Sequence, residues 1–253
     1  MHHKIDMENI YRAYRDYSTP RLGYATVKDY CDSADYLPAI STLNRDMKDV
    51  QRPWVLKAIL GNVTRGSRLL EIGAGEPLIA NLLTQLGYDV TVVDPYDGTG
   101  NGPKEFQQFK EQYPHIQFIR DNFSRNILKD VPGNIDCIYS ISVLEHVPTP
   151  LIAGVMEDIV YALRPTKGWS IHAIDHVLKG HGDEHHMEKL GLILKHMNLT
   201  QDHLTKLTQQ MEEDTETYYL SSEAHNLWRG AIPYEQFPMR KCVSVNLSIP
   251  VDF

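Results

Sequence analysis

Long hydrophobic runs are missing from this sequence. No stretch of 18 apolar residues occurs, and the N-terminal residues lack the apolar core of a secretory signal. A helix that spans a bilayer needs about 20 mostly apolar residues. The sequence therefore predicts neither a membrane span, nor a membrane partner, nor export through a signal peptide.

Cysteine is also scarce. The chain has three cysteines, Cys31, Cys137 and Cys242, which lie far apart. Their odd number and wide spacing fit neither a disulfide framework nor a zinc site. This cysteine usage is typical of a reducing compartment, so we expect a cytoplasmic location.

An excess of basic residues is missing as well. The 25 Lys and Arg residues face 33 Asp and Glu residues, which gives a formal net charge of −8. A nucleic-acid partner calls for a basic stripe, so we expect a small-molecule partner and no nucleic acid. With 42% hydrophobic and 23% charged residues, the 253-residue chain is typical of a globular domain, with or without an appendage.

The most informative motif lies between residues 68 and 77. Apolar residues run into Glu71 and then into two closely spaced glycines, Gly73 and Gly75. A second apolar run ends in Asp94. This order predicts a buried strand, a turn whose missing β-carbons let a ligand approach, a helix, and a second strand whose acid can bind a ribose. It indicates a nucleoside-containing cofactor.

Two details distinguish this motif from that of an NAD-dependent oxidoreductase. The third glycine of the dinucleotide pattern is absent, and Glu71 stands where an apolar residue is usual. A turn with less glycine suits a cofactor without a pyrophosphate, and an acid beside it suits a cationic amino-acid group. An NAD-dependent oxidoreductase remains the alternative from another enzyme class.

Two later segments strengthen this interpretation. Residues 116–122 have a strand pattern that ends in Asp121 and Asn122, and residues 140–147 read Ser-Ile-Ser-Val-Leu-Glu-His-Val. Together with the glycine motif, these segments resemble the small-molecule branch of the class I S-adenosylmethionine (SAM) dependent methyltransferases. The resemblance extends over about residues 55 to 180.

The resemblance implies SAM as the cofactor and S-adenosylhomocysteine (SAH) as its product. The positions that match the family's cofactor contacts lie near or directly after the ends of predicted strands. They are Glu71, Gly73 and Gly75 around the methionine and ribose side, Ser142 as a backbone contact near the amino-acid end, Asp94 at the ribose hydroxyls, and Asp121 with Asn122 at the adenine.

Strand and helix patterns alternate along the chain, which implies a parallel sheet with helices on both faces. We predict an α/β fold with a doubly wound, seven-stranded, mostly parallel sheet. A final hairpin, formed by residues 215–220 and 242–249, would supply the antiparallel strand. The other strands are expected near residues 68–73, 89–94, 116–120, 135–141 and 169–175.

The chain divides at about residue 50. Residues 51–253 are expected to form the SAM-binding methyltransferase domain, with acceptor-side elements near residues 176–213 and 221–241. Residues 1–50 are predicted to form an N-terminal helical lid.

Tyrosines are frequent in this N-terminal segment. Tyr11, Tyr14 and Tyr17 lie on one drifting face of a predicted helix. They either dock the helix on the core or form a lid whose phenols close over cofactor and acceptor, since tyrosine combines apolar area with a polar tip.

Histidines and acids cluster at and after the fifth strand, beside the expected acceptor. The cluster consists of His172, Asp175, His176, His181, Asp183, Glu184, His185 and His186. One interpretation is a general base, His176 or His181, held by a neighbouring acid, because imidazole titrates near neutrality. A divalent metal is a second interpretation, for which we assign no ligands. A solvated loop is the third.

We favour the general base, with Asp175 or Asp183 as its partner. Strand alternation sets a condition: His176 points to one face of the sheet and Asp175 to the other, unless the strand has already ended. His146, after the fourth strand, is a further candidate base.

These observations predict methyl transfer to a small polar acceptor. An aliphatic hydroxyl is a poor nucleophile unless it is deprotonated, which gives a base a purpose and favours O-methylation. A non-catalytic SAM-binding partner or sensor protein is the remaining alternative. The sequence leaves the oligomeric state open, with a homodimer among the options.

Overall fold

The computed structural model describes residues 6–42, 46–99, 102–178, 183–220 and 242–252. The strands are β1 (Leu22–Tyr24), β2 (Arg68–Ile72), β3 (Asp89–Val93), β4 (Gln117–Ile119), β5 (Cys137–Ile141), β6 (Trp169–Val177) and β7 (Cys242–Pro250). The α-helices are α1 (Met7–Tyr14), α2 (Val27–Tyr36), α3 (Lys48–Asn62), α4 (Leu78–Gln85), α5 (Phe106–Gln112), α6 (Thr149–Leu163), α7 (Asp183–His196) and α8 (Gln201–Glu213). Two 3-10 helices span Arg125–Asp130 and Leu144–His146.

The seven strands form one sheet in the order β1-β7-β6-β5-β2-β3-β4. The five strands from β6 to β4 are parallel, whereas β7 runs antiparallel to both β6 and β1. The predicted α/β class, with a seven-stranded and mostly parallel sheet, is therefore confirmed.

One predicted strand is wrong. Residues 215–220 do not join the sheet, and among them only Thr217 makes an isolated bridge, to Thr26. The Thr217 and Tyr219 hydroxyls instead donate hydrogen bonds to the Met211 carbonyl at the end of α8. The edge beside β7 is taken by β1, so part of the predicted lid segment belongs to the sheet.

Helices cover both faces of the sheet because its central strands are apolar on both sides. On one face, Ile59 of α3 and Leu83 of α4 belong to a buried cluster that also includes α1 and α5. On the other face, Ile159 of α6, Ile193 of α7 and Leu207 of α8 form the second core. No helix in the described ranges is long and apolar enough to cross a membrane.

The N-terminal tyrosines pack against α3. The ammonium of Lys57 lies 5.9 Å from the centre of the Tyr14 ring and 5.1 Å from that of Tyr17. Lys57 is buried and pairs with Asp29 and Asp32 of α2 at 2.6 and 2.7 Å. These contacts support the docking interpretation, and a closing motion of the lid stays a prediction.

Candidate functional site

The parallel strands bring most of the predicted cofactor contacts to one edge of the sheet. Gly73 follows β2 and donates its N–H to the Val93 carbonyl of β3 at 2.8 Å. Asp94, after β3, donates its N–H to the Ile119 carbonyl of β4 at 3.2 Å. Ligands bind at this edge of open α/β sheets because the strands' carboxyl ends and the following loops form a crevice there.

The turn after β2 requires glycine. Gly73 and Gly75 have φ angles of +67° and +57°, which side chains rarely allow. A β-carbon at Gly73 would also lie 2.7 Å from a methyl group of Val143. The turn therefore has no side chains at Gly73 and Gly75 that would keep a ligand from the backbone, as the sequence predicts.

Asp94 fastens this turn to the next loop. Its Oδ2 accepts the Gly75 N–H at 2.9 Å, and its Oδ1 accepts the Tyr96 N–H at 2.8 Å. The Tyr96 hydroxyl donates back to the Gly75 carbonyl at 3.0 Å. Because each carboxylate oxygen has two lone pairs, Asp94 retains capacity for ribose hydroxyls.

Glu71 is buried at the end of β2. The Tyr139 hydroxyl donates to its Oε2 at 3.0 Å. Burial raises the pKa of Glu71 to about 7, against the hydrogen bond from Tyr139 and the charge of Arg52, which both lower it. Burial thus makes the charged form of this carboxyl less favourable than that of an exposed glutamate.

A small cleft beside Glu71 contains two cations that the sequence reasoning missed. Lys48 and Arg52, both on α3, line it together with Glu71, Glu76 and apolar side chains. Arg52 also donates a hydrogen bond to the Ile40 carbonyl at 3.2 Å. No motif marks these two positions, because α3 reaches the cleft only through tertiary packing.

Asp121 and Asn122 lie after β4 and are exposed. The Asp121 Oδ1 accepts the Asn122 N–H at 2.7 Å. Both side chains are thus accessible to a ligand at the far end of the edge from β6.

Ser142 follows β5 in a strained conformation. Its φ is +53°, which is uncommon for a residue other than glycine. Its N–H is already engaged by the Ala173 carbonyl at 2.9 Å. Its hydroxyl lies 2.8 Å from Oε1 of Gln51 and 3.1 Å from Oδ1 of Asp175. The side chain therefore joins a network that spans α3, β5 and β6.

Asp175 lies at the centre of this network. Its Oδ1 accepts from Nε2 of Gln51 at 2.7 Å and lies 3.1 Å from the Ser142 hydroxyl, whose single hydrogen is shared between Oδ1 of Asp175 and Oε1 of Gln51. Within the described ranges, no hydrogen bond reaches Oδ2. Burial raises the pKa of Asp175, against the hydrogen bonds from Gln51 and Ser142, which lower it. Asp175 is thus a positioned carboxyl with one oxygen left for another partner.

The predicted pairing of Asp175 with His176 does not form. The strand β6 continues to Val177, so Asp175 bonds to α3 while His176 faces α7. The His176 ring lies 6.4 Å from that of His186. In the part of the chain that the structure describes, neither ring nitrogen of His176 has a hydrogen-bond partner. Burial lowers the pKa of His176 to about 4, so the ring is neutral at pH 7.

His176 lines a small cavity with His186, Lys189 and Glu145. Glu145 Oε2 is also without a partner among the described residues, and burial raises the pKa of this carboxyl well above its ordinary range. The Lys189 ammonium donates to the Glu145 carbonyl. This cavity lies on the α7 side of β6, and Asp175 is also among the residues that line it.

The other predicted candidates have different surroundings. His172 is held between the hydroxyls of Ser140 and Ser170 at 2.7 and 2.8 Å, and burial lowers its pKa to about 3, which fits a core residue. His146 is exposed on its 3-10 helix.

Some of the predicted site residues lie outside the part of the chain that the structure describes. His181 and the predicted acceptor-side segment 221–241 lie outside the described residues, as does the side chain of Asp183. Within the described ranges, no group of three or more His, Cys, Asp or Glu side chains is arranged to hold a metal ion.

Replacing His176 with leucine is expected to stabilise the protein. An unpartnered buried polar group costs about 1–3 kcal/mol, and leucine of similar size removes that cost. The gain should be larger at pH 5 than at pH 7. The pKa of His176 is about 4 in the folded protein against 6.5 ordinarily, so the unfolded chain binds the proton more tightly and stability falls as the pH drops through this window.

Thermal unfolding of His176→Leu at pH 5 and pH 7 measures this effect. His115→Leu is the control, because His115 is exposed and bonds only to the side chain of Asn81. A lower melting temperature for His176→Leu at both pH values would show that His176 stabilises the core.

A family model described as a methyltransferase domain matches residues 43–213. None of the curated proteins that were compared matches the chain.

Several solved structures are similar to the chain at low sequence identity. Phosphoethanolamine N-methyltransferase 2 from Haemonchus contortus, bound to phosphomonomethylethanolamine and SAH, is 17% identical with a TM-score of 0.47; the match covers 79% of this chain and 51% of that protein. The 1,6-didemethyltoxoflavin-N1-methyltransferase of Burkholderia thailandensis is 14% identical with a TM-score of 0.44, covering 88% and 85%. The N-methyltransferase NodS of Bradyrhizobium japonicum is 14% identical with a TM-score of 0.43, covering 79% and 94%.

The family match covers well over half of the chain, and it includes the glycine turn, Asp94, Asp121 and Ser142. The chain therefore belongs to the methyltransferase domain family, which confirms the predicted methyltransferase resemblance.

Proposed function

We propose that this protein transfers a methyl group to a small polar acceptor, preferably to a hydroxyl, with Asp175 as the proton acceptor. The observation that carries the proposal is the Asp175 carboxyl, which Gln51 and Ser142 fix through one oxygen. It lies next to the end of β5, at the edge of the sheet where the cofactor contacts gather.

The order of the residues along this edge favours one orientation of SAM. The order β4, β3, β2, β5 and β6 matches adenine at Asp121 and Asn122, ribose at Asp94, and the methionine end at the glycine turn. The cleft there offers Arg52 to a carboxylate and Glu71 to an ammonium, the two charges of an amino acid. The methyl group then lies toward β5, and the acceptor over β6.

When bound, SAM supplies an electrophilic methyl group, so the protein mainly has to align the acceptor. The acceptor's hydroxyl oxygen would form the new bond to the methyl carbon as the bond between that carbon and the cofactor sulfur breaks, SAH would be the leaving group, and the hydroxyl must lose its proton. Asp175 receives that proton on Oδ2, while Oδ1 stays held by Gln51 and Ser142. Burial, which raises the pKa of Asp175, makes it a stronger base than an exposed aspartate.

A small amine is the second candidate acceptor. Asp175 and Glu145 are both buried acids at the acceptor end of the edge, and a protonated amine would be attracted to them before it loses its proton. NMR of the methylated product distinguishes an O-methyl from an N-methyl group. A protein that binds SAM but methylates neither class would support the sensor alternative.

Calorimetric titration with SAM and with SAH tests the cofactor assignment. Both ligands are expected to bind, with affinities that EDTA does not change. Arg52→Ala should weaken SAM binding by about tenfold, because a charged hydrogen bond to the ligand is lost. Arg65→Ala is the control, since Arg65 pairs with Glu8 and does not line the cleft. Binding of NAD(H) in place of SAM and SAH would overturn the assignment.

A further inference from the structure

Gln51 is a buried amide that contacts two residues of the site at once. It lies on α3 with no solvent exposure. Its Nε2 donates to Oδ1 of Asp175 at 2.7 Å, and its Oε1 accepts from the Ser142 hydroxyl at 2.8 Å. Since only the nitrogen of an amide donates and only the oxygen accepts, the contact with Asp175 fixes the orientation of the whole group.

Each of the two partners needs to be held. Ser142 has a left-handed backbone at the end of β5, and such conformations persist only where surrounding contacts enforce them. Asp175 is a buried carboxyl whose charged form depends on donated hydrogen bonds. Gln51 serves both residues, and it joins them to the helix that carries Lys48 and Arg52 in the cofactor cleft.

We propose that Gln51 is a positioning residue for methyl transfer. It holds Oδ1 of Asp175 and the Ser142 hydroxyl, which leaves Oδ2 of Asp175 directed to the acceptor. Because α3 also lines the cofactor cleft, the same helix sets the cofactor's methionine end and the proton acceptor relative to each other. This inference rests on the proposed role of Asp175 as the base.

Several titratable groups lie around Asp175. Glu145 accepts the Asp175 N–H at 3.2 Å, and burial, followed by the Asp175 charge, raises the pKa of Glu145. His146 and Lys48 lower the pKa of Asp175. On α7, Nδ1 of His186 contacts the Asp175 carbonyl at 3.2 Å. Against this background, loss of the Gln51 donor should raise the pKa of Asp175.

A carbon-13 NMR titration of the aspartate carboxyls measures this effect without an acceptor. Comparison with Asp175→Asn identifies the Asp175 resonance. In Gln51→Met, which keeps the side-chain length but removes donor and acceptor, the midpoint should rise by about one pH unit. Once an acceptor has been identified, the kcat of Gln51→Met should be lower than that of the wild type. The acid limb of the kcat–pH profile should move to higher pH, and the affinity for SAM should stay unchanged.

Ser140→Ala is the matched control. Ser140 is buried on β5, two residues before Ser142, and its hydroxyl bonds to His172. Its loss should lower the melting temperature and leave the Asp175 titration unchanged. If Gln51→Met lowers the melting temperature in the same way without moving the titration, Gln51 is only structural and the inference is overturned.

A second variant keeps the inference testable if Gln51→Met does not fold. Gln51→Glu keeps the size of the side chain, but when ionised it cannot donate and it adds a negative charge beside Asp175. The titration midpoint should again rise, and a midpoint that stays or falls would contradict the inference. If Asp175→Asn retains full methyl transfer, Asp175 is not the proton acceptor and that part of the proposed function is wrong, whatever the titrations of the Gln51 variants show.

Discussion

Replacing Asp175 with asparagine is expected to lower the rate of methyl transfer by about 10²–10⁴-fold, the range typical of a lost general base. The substitution is conservative in shape. The amide oxygen of asparagine can still accept from Gln51 and Ser142, as Oδ1 does in the native protein. The group that replaces Oδ2 is a donor, which cannot receive a proton. SAM affinity and the melting temperature should therefore remain close to those of the wild type.

The measurement is kcat against pH, with SAM affinity determined by calorimetry on the same preparations. Glu145→Gln is the comparison, because Glu145 is the second buried acid nearby and its carboxyl lines the cavity on the α7 side. It should reduce kcat much less than Asp175→Asn. If Glu145→Gln lowers kcat more than Asp175→Asn does, the proton acceptor is Glu145. If neither substitution lowers kcat, the methyl acceptor reacts without a base from the protein.

The glycine turn and the acids after the strands were predictable because their signals are local. Gly73 and Gly75 adopt the left-handed conformations that their positions imply, and Asp94 bonds to the turn. Parallel strand order alone brings them to one edge.

The first turns of α3 were not predictable in this way. Gln51 reaches Asp175 across 124 positions of sequence, and no spacing rule connects a helix before β2 with the end of β6. The edge strand was missed for a related reason. Residues 215–220 make scattered backbone hydrogen bonds to residues 25–27 and to Cys242, and side-chain bonds to α8, without forming a strand. The three-residue strand β1 is too short to produce a clear alternation.

The histidine cluster shows where composition misleads. His172 and His176 lie in one strand with similar neighbours in sequence, yet serine hydroxyls satisfy both nitrogens of the first and no described residue satisfies those of the second. Alternation separates Asp175 from His176, so sequence proximity did not produce the predicted pair.

Asp94→Ala is expected to weaken SAM binding by about 1–3 kcal/mol, or about 5- to 150-fold, since charged hydrogen bonds to the ribose are lost. The loss has a second component, because Asp94 also holds the N–H groups of Gly75 and Tyr96. Asp94→Asn, which keeps one acceptor oxygen, should show an intermediate affinity. Asp97→Ala is the control in the same loop, where an exposed carboxylate bonds to the Thr99 N–H. Unchanged calorimetric affinity in a folded Asp94→Ala protein would remove Asp94 from the cofactor site, whereas a loss shared equally by Asp97→Ala would show that loop order, and not the ribose contact, determines SAM affinity.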